Sequence, residues 1–178
     1  MLVAIPVGIV TGWVLRGNID GLAGLRLRWA WLAVAGLAVQ AVLFTERGMD
    51  LAGNAVPPIY VVSTLAVFAM VARNIRVTGM PVVALGSLSN LAAIVANGGV
   101  MPADPDAIVA AGLQGDYANS VALPDPALRP LTDIFAIPAG VPLANVFSVG
   151  DVLIALGIVI VIAAAMRRSR STAASTAA

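Results

Sequence analysis

The chain contains no cysteine, no histidine and no lysine. Without thiols there is no disulfide, no thiolate nucleophile and no iron–sulfur ligation. Without imidazole, the usual zinc and haem ligands and the commonest general base are missing. Without a lysine amine there is no Schiff-base chemistry. Carboxylates, hydroxyls, tyrosine and arginine are what remain, so no cofactor and no metal are expected, and no residue is singled out as catalytic. Charge is scarce as well. Only 11% of the residues are charged, against ~25% in a soluble domain.

What is there is apolar. The 178 residues are 60% hydrophobic, with a mean hydropathy of +0.98. One compact unit of this length has too little polar sequence to coat a soluble core. A net charge of +1 gives no reason to expect nucleic acid as a partner. Five apolar stretches stand out, at about 1–15, 29–45, 58–72, 80–98 and 148–166. The expected fold class is therefore all-α. It is a helical transmembrane bundle of about five spans, forming one membrane domain over 1–166, with 167–178 a disordered tail. The first span is short for a bilayer that needs ~20 residues. Its Gly8 and Gly12 permit close helix contact, or pair by chance in a Gly-rich chain.

Charge orients this bundle. With the connector after the first span inside, Arg16, Arg26, Arg28, Arg73, Arg76, Arg167, Arg168 and Arg170 are all cytoplasmic, and only Arg47 and Arg129 lie outside. Trp13, Trp29 and Trp31 fall at the inner boundary, where indoles prefer to sit. The expectation is a multi-pass protein of a bacterial cytoplasmic membrane, N-terminus outside and C-terminus in the cytoplasm. An apolar run that starts at Met1, with its first positive charge only at Arg16, reads as a retained anchor rather than a signal peptide. The expected partners are the lipid bilayer, anionic lipids at the cytoplasmic face, and a second copy or another membrane protein.

Residues 99–147 form a long outer segment holding seven of the eleven prolines. Long connections of this kind are often functional. Asp104-Pro-Asp106 reads as a helix start, with an Asp N-cap and Pro at the first position. The helix is expected to run to about Leu113 and stop at Gly115, showing an apolar side of Ile108, Val109 and Leu113 to the membrane surface. The remainder, including 131–142, reads as a Pro-broken lid over the helix ends.

Two motifs flank the lid. Asn97-Gly-Gly-Val-Met101-Pro reads as a helix C-terminus. Asn145-Val-Phe-Ser148-Val-Gly-Asp151 reads as a capping box, with Ser148 as N-cap and Asp151 at N3. The functional alternative gathers Asn97, Met101, Asp133, Asn145, Ser148 and Asp151 into a ligand-binding site under the lid, where paired carboxylates handle a proton or a cation. Within the spans, Gln40 and Asn90 are the deepest polar residues. They read as interhelical hydrogen-bonding groups, or as part of a ligand or proton path. The lack of any charge at mid-span argues against an ion-coupled pump.

The chain resembles a domain-of-unknown-function family of small bacterial membrane proteins of about five spans. The resemblance rests on Leu25-Arg-Leu-Arg28, Gln40, the Asn-Gly-Gly-x-Met-Pro motif from Asn97, Leu131-x-Asp133, and the Phe-Ser-x-Gly-Asp motif ending at Asp151. It implies the same topology and carries no assigned activity. Three readings remain open. The favoured one is a non-catalytic accessory or scaffold subunit. The second is an outer-leaflet binder or carrier of a lipid or small apolar molecule, gated by the lid over a cavity lined by Met101, Phe135 and Phe147. The third is an Asp-dependent membrane enzyme.

Overall fold

The computed structural model describes the backbone of residues 3–113 and 120–176, with side chains as far as Arg167. The protein is mostly helical. Each apolar stretch forms a helix: α1 (Ala4–Val14), α3 (Ala30–Leu43), α5 (Val56–Arg73), α6 (Met80–Ala96) and α8 (Val149–Thr176), with a single turn, α2 (Asp20–Ala23), between the first two. Two helical stretches, residues 46–73 and 149–167, are long and apolar enough to cross a membrane; α1, α3 and α6 are apolar but shorter. The tail expected to be disordered, 167–178, falls on residues whose side chains beyond Arg167 lie outside the described set.

Glycine sets the packing. Gly79 faces Gly157 and Val161, and Gly86 faces the backbone of Gly150 and Ile154, so α6 and α8 run antiparallel in close contact. Gly8 faces Ile162 and Gly12 faces Met166, so α1 lies parallel to α8. Small residues let helix backbones approach this closely, and dispersion between the flanking side chains holds them. Gly36 lies against Ser63 and Val67, joining α3 to α5. The helices thus alternate in direction, with α8 packed on α1, α2 and α6.

Residues 46–57, between the second and third apolar stretches, are mostly helical. Thr45 caps α4 (Glu46–Ala52) by accepting from the Gly48 amide, and a 3-10 turn leads into α5 with Pro at its first positions. Proline fits there because that amide needs no helical acceptor.

Among the described residues, the 99–147 segment forms a small α/β cap rather than an irregular lid. Strands β1 (Met101–Ala103) and β2 (Ser120–Ala122) pair in parallel, and β3 (Phe135–Ile137) and β4 (Asn145–Phe147) pair antiparallel. Between β1 and β2 lies α7 (Pro105–Ala110), whose N-cap Asp104 accepts from the Asp106 amide as the sequence predicts. The helix ends earlier than expected, at Gly112 with φ +69°; Gly115 lies outside the described residues. Its inward face is Ala107, Ile108 and Ala111, which pack with Ala103 and Val146, while Val109 is 74% exposed. The helix covers the β3–β4 pair, so its apolar residues fill the cap's own core.

Candidate functional site

The site forms where the cap meets the upper ends of α6 and α8. Ser148 lies between β4 and α8. Its hydroxyl accepts from the Asp151 amide at 3.0 Å, and its own amide donates to Asp151 Oδ2 at 3.0 Å. Two amide donors left over at the helix start are thereby satisfied reciprocally, with a carboxylate at the positive end of the dipole.

Asn90 reaches in from α6. Its Nδ2 donates to Asp151 Oδ1 at 3.0 Å, and its Oδ1 accepts from the Ser148 hydroxyl at 2.9 Å. That hydroxyl also lies 3.1 Å from Asp151 Oδ2 and donates its one proton to one or other oxygen. Gly150 makes the arrangement possible, since a methyl at that position would occupy the space of the Asn90 side chain. Ser148, Gly150 and Asp151 are thus three parts of one joint. Both Asp151 oxygens are committed to it.

Asp133 stands close by and differs in kind. Its backbone bridges to β1, with its amide donating to Pro102 O and its carbonyl accepting from the Asp104 amide. The residue is 4% exposed. Oδ2 accepts from the Ser120 hydroxyl at 2.7 Å, and Oδ1 has no hydrogen-bond partner among the described residues. Burial pushes this carboxyl up to about 7; the Ser120 hydrogen bond pulls it down, and the charge of Asp151 raises it further. At neutral pH the group is therefore poised between its acid and carboxylate forms. Asp104 behaves in the opposite way. The Arg129 guanidinium, 2.8 Å away, holds it below its ordinary value.

The other expected site residues lie elsewhere. Asn97 caps the end of α6; its Nδ2 donates to Ala93 O and Ala127 O, and its Oδ1 accepts from the Ala127 amide. It fixes the loop before Arg129 to the bundle. Met101 is buried in an apolar cluster with Leu43, Tyr60 and Ile94. Phe135 and Phe147 stack on each other with centroids 5.5 Å apart. Met101 therefore fills the core, while the two rings cover each other on the β3–β4 pair. Asn145 is exposed, in register with Ile137 at the far end of that pair.

Gln40 does not join the cluster. Its Nε2 lies 3.2 Å from both Ser63 Oγ and Thr64 Oγ1, linking α3 to α5. Ser120 and Gly150 are parts of this cluster that the sequence does not single out as site residues. Ser120 meets Asp133 only through the β1–β2 pairing, which no local pattern announces. Gly150 lies inside a motif already singled out, and its spacing from Ser148 was the available signal. Among the described residues, no three carboxylates gather to hold a metal ion.

The stretch that carries this joint, from the arginines before α3 to the middle of α8, also decides the relationship of the chain. It belongs to a family of unknown function (DUF5317). The family model matches residues 24–163, which takes in α3, α5, α6, the cap and the capping box of α8, and leaves α1 outside. Comparison with curated proteins and with solved structures finds no match.

Proposed function

We propose that this family member is a five-span integral membrane protein acting as a non-catalytic accessory or scaffold subunit, with its N-terminus and cap outside and α8 ending in the cytoplasm. The observation that carries the membrane reading is the outer surface of the helices. Val34, Leu37, Val62, Leu85, Val95 and Leu156 are all exposed. Helices apolar on every side suit a lipid environment, and such a patch on a soluble protein would drive association. Charge supports the orientation. Arg16, Arg26, Arg28, Arg73, Arg76 and Arg167 gather at one end with Asp20 as the acid among them. The other end holds Glu46, Asp50, Asp104, Asp106, Asp125, Asp133 and Asp151.

The scaffold reading rests on what the polar side chains do. Asn90, Ser148, Asp151, Asn97 and Gln40 all hold one part of the fold to another. The carrier reading draws less support, because Met101 is packed into the core. The enzyme reading draws less support too, because Asp151 has both oxygens engaged.

The absence of cysteine makes the test clean. Single-cysteine variants at Val109 in the cap and Ile75 in the α5–α6 turn, both exposed, are treated with a membrane-impermeant maleimide. Labelling of Val109→Cys in intact cells, and of Ile75→Cys only after permeabilisation, is the expected result. The reverse pattern overturns the orientation, and solubility of the protein in alkaline carbonate overturns the spans. Purification in mild detergent then tests the role; a stoichiometric second copy or partner protein is expected, and a solitary monomer contradicts it.

A further inference from the structure

The end of the bundle opposite the cap carries its own constellation. Arg26 and Arg28 come from the connector before α3, Arg73 from the end of α5 and Arg76 from the turn that follows it. These segments are far apart in sequence, yet the four arginines line one cleft of about 480 Å³, with Asn74 and Val77.

The cleft has a built floor. Asn74 is 5% exposed. Its Oδ1 accepts from the Arg28 amide at 2.9 Å, and its Nδ2 donates to Arg28 O at 2.7 Å and Met70 O at 2.8 Å. One asparagine thus pairs with the backbone of the other segment as a strand would, and fixes the spacing of the arginines on both. Leu25, Leu27 and Val77 pack with Val71 and Met80 beside it. Trp29 stands at the rim, with the Arg73 guanidinium 5.7 Å from its ring centroid.

The charges in this cleft are unbalanced. Among the described residues, the ion pair formed is Arg129–Asp104, at the opposite end. Asp20 borders the adjoining cavity, which shares Arg26, and is engaged by Asn18 at 2.6 Å. Four like charges held together by the fold favour a bound anion. Guanidinium groups match the oxygens of a phosphate in paired hydrogen bonds.

We propose that this cleft binds the phosphate of an anionic phospholipid headgroup, with its acyl chains lying along α3 and α5. The proposal rests on the membrane reading above, which sets the cleft at the level of the inner headgroups. Basic pockets between spanning helices on that side take such headgroups. Isolated arginines at helix ends would only meet the headgroup layer in passing; here the Asn74 joint holds four of them around one volume.

The experiment uses the full chain in mild detergent. Phosphatidylglycerol or phosphatidylcholine is added and retained lipid is counted by native mass spectrometry. The cleft variant is Arg28→Gln/Arg73→Gln/Arg76→Gln, and a control of equal charge is Arg167→Gln/Arg168→Gln/Arg170→Gln. Wild type and control are expected to retain phosphatidylglycerol over phosphatidylcholine, and the cleft variant to bind it on the order of 100-fold more weakly. Asn74→Ala, which alters no charge, is expected to weaken binding as well while circular dichroism stays helical. Equal retention by all variants, or equal loss in the cleft variant and the control, overturns the site. Soluble glycerol phosphate is the second probe. If it binds wild type and the lipid does not, the phosphate chemistry stands and the lipid source falls. Carbonate extraction scores the membrane reading on its own, so failure of one is visible without the other.

Discussion

Asn90 and Asp151 are 61 residues apart in sequence and share a 3.0 Å hydrogen bond at the crossing of α6 and α8. The same asparagine accepts from Ser148, so one amide holds both halves of the capping box. Asn90→Ala leaves Asp151 Oδ1 without its donor in a poorly hydrated place, at a cost of ~1–3 kcal/mol. The thermal midpoint in detergent is expected to fall by several degrees. An unchanged midpoint would mean that the cluster is free to do something other than hold the helices.

Gly150→Ala tests the same joint from the other side. The added methyl meets the Asn90 side chain and the Gly86 carbonyl, and at a backbone contact no flexible end can yield. Loss of folded protein, or a large drop in midpoint, is expected. Gly24→Ala is the contrast. Its nearest neighbour is 3.5 Å away and its φ is −81°, so the change is expected to be neutral or to stabilise by ~0.4–1 kcal/mol. Equal effects at the two positions would contradict the packing described.

Asp133 predicts a pH dependence. Its carboxyl titrates near 7 in the folded protein, against an ordinary value of 3.8. Between these values the folded chain keeps a proton that the unfolded chain releases. Its contribution is therefore complete below about pH 4 and is lost as the pH rises through 7. Asp133→Asn removes the titration. The variant is expected to match wild type in acid and to exceed it above pH 7 by up to ~4 kcal/mol. Parallel stability curves for the two proteins from pH 4 to 8 would rule out a buried, protonated Asp133.

Gln40→Leu should do much less. The hydrogen bonds to Ser63 and Thr64 are both 3.2 Å long, and the Ser63 hydroxyl keeps the Tyr60 carbonyl as a partner. The expected loss is ~0.6 kcal/mol, the usual scale for such pairs between spanning helices. A loss matching that of Asn90→Ala would show a tighter α3–α5 joint than these distances imply.

The helices were legible because each is spelled by an apolar run almost free of charge, and the capping box because it is a local pattern over Ser148 to Asp151. The start of α7 was legible for the same reason at Asp104 and Pro105. The cap was not. Strands of three residues such as Met101–Ala103 are too short to show a period of two, and their pairing joins residues that lie far apart in the chain. Asn90 read as a polar residue deep in its span, because nothing in sequence tells that the start of α8 lies beside it. Composition groups Val109 with Ile108 and Leu113 on one apolar side of α7, whereas the structure turns Ala107, Ile108 and Ala111 inward and leaves Val109 exposed. The burial of Asp133 was invisible for a further reason. It depends on β1 and on Ser120 together, and a Pro-rich loop reads as open to water.

The dependence of α1 on α8 bears on how the chain is made. Gly8 and Gly12 meet Ile162 and Met166, so the first helix synthesised finds its seat on the last. The α3–α5 and α5–α6 contacts join neighbouring segments, while α1 packs on the helix made last. The order of synthesis is therefore not the order of assembly. On the membrane reading proposed above, α1 waits for its packing partner until α8 is made, and a chain stopped before Val149 leaves the glycine face of α1 uncovered.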